Sequence, residues 1–353
     1  MQNVPATVPG ASLCYDFAMR SVRAVILVLL LAAALPAAKK SVEMYFIDVE
    51  GGQATLVVAP SGECMLIDAG WPGYNGRDAG RIVAAAKAAG VKKIDYLLVT
   101  HYHTDHVGGV PELAAKMPVR TYVDHGPSFE TGKNADILVN AYLAHRAKGQ
   151  HLEVKPGDSV PIKGLAVKIV ASAGDLIAAP LPGAGAPNPL CAAFQPKAED
   201  KTENGRSIGM ILSYGKFRLA NLADLTWNKE HELACPNHKL GAVSVYMVSH
   251  HGMNLSGPAA MVHALHPLVA VMNNGARKGG SAEAWQIVRQ SPGLKDIWQL
   301  HYAIAGGKEN NAPDTFIANT DETCEGKWIR LSAREDGSFT LFNSRNKFQR
   351  SYP

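Results

Sequence analysis

A chain of 353 residues accommodates one large domain or two modest ones. Its 47% hydrophobic and 19% charged residues exclude an intrinsically disordered chain, and 33 glycines with 21 prolines imply many turns without a collagen-like period. The formal net charge of +4 carries no strong nucleic-acid signature.

Taken in chain order, the first pattern is an address. Met19–Arg23 is a short basic stretch, Ala24–Ala38 is uncharged and apolar, and Lys39-Lys40 follows. Such a run is too short to cross a bilayer comfortably as a helix and matches the core of a signal peptide. Residues 1–38 are therefore expected to be a signal segment, with Met19 as the true start. Residues 39–353 are expected to be the exported domain, periplasmic or secreted. Membrane contact is expected only through the uncleaved segment, and an uncleaved anchor is the alternative.

Next come β-rich runs at Val42–Val49 and Gln53–Ala59, parted by Gly51-Gly52, and a third at Cys64–Ile67. Gly80–Ala89 reads as a helix stopped by Gly90. Strands Ile94–Val99 and Val119–Val123 follow, then a helix over Asn134–Ala147. Short strands are predicted near Leu152–Val154, Val160–Ile162 and Leu165–Val170. Residues 171–206 break this rhythm with Ala, Gly and Pro and read as a long surface loop or lid inserted in the domain. Regular structure resumes with strands at Ser207–Tyr214 and Lys216–Leu222. The remaining strands are Val243–Ser249, Leu268–Met272 and Ile297–Leu300, with helices at Ala259–Leu265 and Ala282–Gln290. Trp328–Leu331 and Ser338–Phe342 read as a final hairpin around Asp336-Gly337.

Cys64, Cys191, Cys235 and Cys324 follow the signal segment, and four cysteines allow three pairings. Cys64 lies in an apolar run and reads as a buried thiol. Cys191 and Cys235 are able to close a loop in an oxidising compartment.

Chemistry gathers at strand ends. Of 13 histidines, three fall within His101-Tyr102-His103-Thr104-Asp105-His106. In extended chain, residues i and i+2 point the same way, so His101 and His103 can grip one ion. A turn into a helix then redirects Asp105 and His106 to a second position beside it. Imidazole with carboxylate suits zinc, and manganese is the alternative. Gly108-Gly109 lets the backbone turn closely behind the cluster.

Thr100–Gly109 as a whole resembles the signature of the metallo-β-lactamase superfamily. Leu66-Ile67-Asp68-Ala69-Gly70, Leu222-Ala223-Asp224-Leu225 and Val248-Ser249-His250-His251-Gly252 resemble its other motifs. The resemblance runs from about residue 42 to at least 275. It implies a four-layer αββα sandwich with two metals at one edge between the sheets. Asp224 is the position that bridges the ions in the family, and His251 holds its last ligand position. Asn204-Gly205-Arg206-Ser207 and the His-His-Gly triplet resemble the β-lactamase-like domain of ComEC-type DNA-uptake proteins. The separate His that many members carry after the strand ending in Val170–Gly174 is absent here. A further His of that branch is replaced at Ala276–Gly280 by a basic stretch.

The resulting ligand set is His101, His103, Asp105, His106, Asp224 and His251. Asp68 is expected to accept the free N–H of a liganding imidazole rather than to bind metal. His125 ends a strand and reads either as a ligand or as a supporting contact. Adjacent residues on a strand point to opposite faces, so His250 is expected beside the ions as a proton donor or substrate contact. A metal-bound hydroxide is the expected nucleophile, with Asp105 orienting it or taking its proton. The ComEC-type resemblance favours a phosphodiester substrate, with Arg277, Lys278 and Lys308 as candidate phosphate contacts. His301-Tyr302 reads as core or rim. Hydrolysis of a lactam, lactone or thioester is the alternative chemistry on this fold, and a metal-retaining binding protein is the second.

Overall fold

The computed structural model describes residues 1–3, 5–6 and 41–353. The expected signal segment, Met19 and Cys14 lie outside the described residues. Residues 1–3 and 5–6 are exposed and carry no regular secondary structure.

From Ser41 the chain builds its first sheet. Strands β1 (Ser41–Phe46), β2 (Thr55–Val58) and β3 (Cys64–Ile67) form an antiparallel meander. Helix α1 (Arg77–Ala89) then carries the chain across to β4 (Ile94–Leu98), which pairs parallel with β3. Two short helices, α2 (Thr104–Val107) and α3 (Val110–Ala114), lead to β5 (Val119–Asp124). Helix α4 (Lys133–Arg146) leads to β6 (Gln150–Glu153), and both of these strands continue the parallel run.

The second sheet follows. Strands β7 (Ser159–Val160), β8 (Ala166–Ser172) and β9 (Asp175–Leu176) are antiparallel neighbours, as are β8, β10 (Gly209–Tyr214) and β11 (Phe217–Asn221). From β11 onward the strands run parallel: β12 (Val245–Met247), β13 (Val269–Met272), β14 (Asp296–His301) and β15 (Ile317–Asn319). Their crossings carry α5 (Trp227–Ala234), α6 (Ala259–Leu265) and α7 (Ala282–Arg289). The chain then returns to the first sheet, where β16 (Ile329–Arg334), β17 (Phe339–Asn343) and β18 (Gln349–Tyr352) extend it antiparallel beside β1. Among the described residues each sheet has nine strands.

The packing explains the uniformly apolar strands. Phe46, Ile67 and Leu98 meet Met210, Leu219, Val271 and Trp298 in the space between the sheets. On the opposite face of the first sheet, Leu56, Leu66 and Leu97 pack on Ile82 of α1 and Tyr142 of α4. On the outer face of the second sheet, Tyr246 and Met272 pack on Leu233, Met261 and Trp285. Both faces of each sheet are thus covered, so β2, β3 and β4 are buried at every position and lose the polar alternation of a half-exposed strand. Each fully buried large aliphatic side chain contributes about 1.5–3 kcal/mol. The four layers are the expected αββα sandwich.

Some boundaries shift. Strand β1 stops at Phe46, because Glu50 (φ 54°) and Gly51 (φ 87°) turn the chain, leaving Ile47–Val49 as a buried strand exit. The stretch at 171–206 is secured at several points. The Asn188 amide donates to the carbonyls of Ala234 and Ala260 at 3.1 and 2.8 Å, and Cys191 is disulfide-bonded to Cys235. Helix α5 and strands β9, β15 and β18 had no sequence signal: they are short, and α5 buries only Glu230, Leu233 and Ala234.

Candidate metal centre

Strands β3, β4 and β5 in one sheet run parallel to one another, as do β11 to β14 in the other. Polar residues follow each of them: Asp68 after β3, His101–His106 after β4, His125 after β5, Asp224 after β11 and the His250-His251 pair after β12. The carboxyl ends of parallel strands are where such folds place their ligands.

Tight backbone at these strand ends aims the side chains. Asp68 (φ 60°), Ala223 (φ 50°), His250 (φ 52°) and His251 (φ 55°) are all left-handed although none is glycine. Each such residue costs about 1–3 kcal/mol and persists only where its surroundings hold it. Gly108 and Gly109 serve differently. Their φ values are −61° and −75°, so close approach is the constraint: a Cβ at Gly109 would strike the Ala69 carbonyl, and one at Gly108 would strike Thr104 O and Pro72.

Four donor groups converge. One atom each from Asp105, His106, Asp224 and His251 lies within 4.8 Å of the others, and all four residues are buried. His106 Nε2 lies 3.2 Å from His251 Nε2, 3.2 Å from Asp105 Oδ2 and 3.3 Å from Asp224 Oδ2. His251 Nε2 lies 3.2 and 3.3 Å from the same two carboxylate oxygens. Ligands about 2.0–2.1 Å from a central zinc, arranged tetrahedrally, are separated by about 3.3–3.4 Å. The donors are therefore spaced as a metal would space them. Asp224 Oδ1 is buried and has no hydrogen-bond partner among the described residues, leaving one carboxylate oxygen for a second ion. Beside this group, His101 Nε2 and His103 Nδ1 face one another at 3.1 Å.

Buried carboxylates and imidazoles shift one another strongly here. Burial pushes the Asp224 carboxyl upward, but the imidazoles of His251, His106 and His250 outweigh it and hold that group well below the usual carboxylate range. Burial also raises Asp105, and His106, His251 and Lys278 more than reverse the effect. Burial lowers His106, yet Asp224, Asp105 and Asp68 together lift it well above its ordinary value. His101 has no such surplus; burial and the neighbouring His106 hold it well below.

Asp68 lies behind the cluster. Its Oδ2 accepts from His106 Nδ1 at 2.8 Å and from the Thr100 hydroxyl at 2.7 Å, while Oδ1 accepts from the Thr100 amide at 2.7 Å. This arrangement aims His106 Nε2 at the other donors.

One expectation is corrected, and His125 takes the second of its two readings, a supporting contact. His250 and His251 do not lie on a strand with opposed side chains. Strand β12 ends at Met247, and the left-handed turn Ser249–Gly252 brings both Nε2 atoms to one oxygen, Asp224 Oδ2, at 3.4 and 3.3 Å. His250 Nδ1 also lies 3.2 Å from the Ser256 hydroxyl. His125 stands outside the donor group. Its Nε2 is 2.9 Å from Glu203 Oε2, where it serves the buried Glu203 rather than an ion.

Glu203 escaped sequence reasoning, since nothing in a charged stretch marks one carboxylate for burial. It also accepts from the backbone amides of Tyr102 and Phe129 at 3.3 and 2.5 Å, and so ties the 199–206 segment to the histidine turn. Glu130 Oε1 adds a contact to His103 Nε2 at 3.3 Å. Of the basic candidates, Lys278 touches Asp105 Oδ2 and lies over the Trp71 ring. Arg277 instead pairs with Glu322 at the surface.

Residues 47–191 match the Metallo-beta-lactamase superfamily. A hydroxyacylglutathione hydrolase of Rhodopseudomonas palustris (strain BisB5) is 35% identical over 97 residues, 28% of this chain and 31% of the relative. A hydroxyacylglutathione hydrolase of Acidiphilium cryptum (strain JF-5) is 30% identical over 100 residues, 28% of this chain and 34% of the relative. The chain thus spans about a third of the length of these relatives. Among solved structures, the metallo-beta-lactamase fold protein YhfI from Bacillus subtilis aligns at 9% identity with a TM-score of 0.45, covering 73% of this chain and 96% of that one. The described residues have the metallo-β-lactamase fold, and residues 47–191 carry the superfamily match.

Proposed function

We propose that the protein is an exported, metal-dependent hydrolase that cleaves a phosphodiester. The observation that carries this reading is the convergence of Asp105, His106, Asp224 and His251 at metal-ligand spacing on the strand-end edge of the sandwich. Two zinc ions per chain suit the donor set, with manganese the alternative. His101 and His103 would hold one ion, Asp105, His106 and His251 the other, and Asp224 would be shared. When bound, such ions activate water near neutral pH and stabilise negative charge on the group under attack.

The chain's own residues supply the rest. Asp68 and Thr100 fix the orientation of His106. Asp105 and His250 are the side chains placed to hold or pass a proton, because each faces the cluster and keeps a second contact, to Lys278 and Ser256 respectively. The closed apolar layers behind the strand ends keep bulk water from the rear of the site.

Two features support a phosphodiester. One is the resemblance of Asn204–Ser207 and the His-His-Gly triplet to the ComEC-type branch. Another is Lys278 at Asp105, where an ammonium can meet a phosphate oxygen. A thioester is the second reading, favoured by the hydroxyacylglutathione hydrolases that align with the chain. The Cys191–Cys235 disulfide supports the proposed export to an oxidising compartment.

The test is a substrate panel on metal-loaded protein, run beside elemental analysis. Turnover of bis-p-nitrophenyl phosphate supports the first reading, and turnover of a hydroxyacylglutathione thioester supports the second. Bound metal with neither activity points to a binding protein. N-terminal sequencing of the mature product should begin near residues 35–41; an intact Met19 on a cytoplasmic product argues against export.

A further inference from the structure

A second group of metal-ligating side chains lies on the same edge of the sandwich. Asp48 follows β1 in the first sheet, His301 ends β14 in the second, and Cys324 lies in the loop between β15 and β16. Asp48 and His301 are fully buried, and Cys324 is half-buried. His301 Nε2 is 3.0 Å from Asp48 Oδ1 and 3.5 Å from Cys324 Sγ, and Cys324 Sγ is 3.2 Å from Asp48 Oδ2. One donor atom from each lies within 4.8 Å of the others. Glu50 Oε1 is 3.9 Å from the sulfur.

We propose that Asp48, His301 and Cys324 form a separate, structural zinc-type site, with Glu50 or water completing the coordination. A thiol's single proton can serve only one of the two carboxylates that this sulfur faces, while its lone pairs can accept weakly from His301 Nε2 and from the Arg81 guanidinium at 3.4 Å. A central cation would gather the carboxylate, imidazole and sulfur contacts at once. Zinc–sulfur bonds of about 2.3 Å and zinc–nitrogen bonds of about 2.0–2.1 Å place tetrahedral sulfur and nitrogen donors about 3.5–3.6 Å apart, close to the separation seen. One thiolate, one imidazole and one carboxylate select zinc or cobalt over magnesium or calcium, which take oxygen ligands.

The surrounding charge agrees. A Cys324 thiolate, Asp48, Glu50 and Asp78 would carry four negative charges against the guanidinium groups of Arg81 and Arg77, leaving two for a divalent ion. Arg81 reaches Asp48 Oδ2 at 3.0 Å, Glu50 Oε1 at 3.0 Å and the Cys324 carbonyl at 3.2 Å, so it braces the group from outside. An ion here would clasp the two sheets together. It would also hold the β1–β2 turn, whose Gln53 amide donates to the Asp105 carbonyl at 3.1 Å.

The experiment is a cobalt titration of the full chain, read by absorption in the near-ultraviolet and visible. The first cluster has only nitrogen and oxygen donors, so a thiolate-to-cobalt charge-transfer band reports the second site alone. One such band per chain is expected. Cys324→Ser should abolish it and lower bound metal by one ion per chain, leaving the ions at Asp105, His106, Asp224 and His251 in place. Wild-type protein that loads the first cluster but shows no thiolate band overturns the proposal, and so does a band that survives Cys324→Ser. The wild-type measurement decides even if the variant fails to fold.

Discussion

Asp224→Asn is the perturbation that bears hardest on the proposed centre. The side chain keeps its volume, but the charge is lost and one oxygen becomes an amide donor. That change falls where Asp224 Oδ2 faces three imidazoles, His106, His251 and His250, at 3.3, 3.3 and 3.4 Å. With Asp224 shared between ions, the cations would repel with less compensation, and bound metal should fall from two per chain towards one. Turnover should drop by about 10²–10³, equivalent to about 2.7–4 kcal/mol of lost transition-state stabilisation. The fold should survive, because Asp224 Oδ1 supports no hydrogen bond and the residue belongs to no apolar cluster. The assay is metal per chain by mass spectrometry, with kcat/KM on whichever substrate the panel identifies and circular dichroism as the folding control. A folded variant that keeps two metals and loses less than about threefold in rate would refute the shared-ligand assignment.

Asp68→Ala leaves His106 Nδ1 without its carboxylate and should weaken metal affinity by about 10–100-fold in a chelator competition; unchanged affinity removes the orienting role. Burial raises the Glu230 carboxyl from its ordinary 4.5 to about 8, against opposing hydrogen bonds from Ser249 and the Gly257 amide. The folded chain therefore holds a proton that the unfolded chain releases, so this residue makes stability fall as pH rises from about 4.5 to about 8. Glu230→Gln should flatten that slope in urea melts across the same range, and an unaltered slope counts against the assignment. Breaking the Cys191–Cys235 bond, which joins residues 44 apart, should cost about 4 kcal/mol by loop entropy; an unshifted melting curve on reduction would show that the link contributes nothing.

Much of the site was legible in the one-dimensional pattern. His101, His103, Asp105 and His106 announce themselves because metal-ligand spacing there is local: a strand end and one helical turn are enough to gather them. Asp68, Asp224 and the His250-His251 pair were legible as polar breaks at the ends of apolar runs. The αββα layering was legible only through the resemblance of these motifs to the metallo-β-lactamase superfamily, since strands buried on both faces require cover without specifying whether helices or a second sheet supply it. The direction of each side chain was not. His250 was expected beside the ions, but through a strand where two left-handed residues in fact turn the chain, and no pattern of residue types announces a positive φ at His. His125 was a plausible ligand until the fold paired it with Glu203, 78 positions away. The same holds for Cys191 with Cys235, one of three possible partners, and for Asp48 with His301 and Cys324 across the two sheets. Local spacing along the chain determines which donors can act together within one turn. Contacts between distant strand ends depend on how the layers pack, and only the tertiary structure decides them.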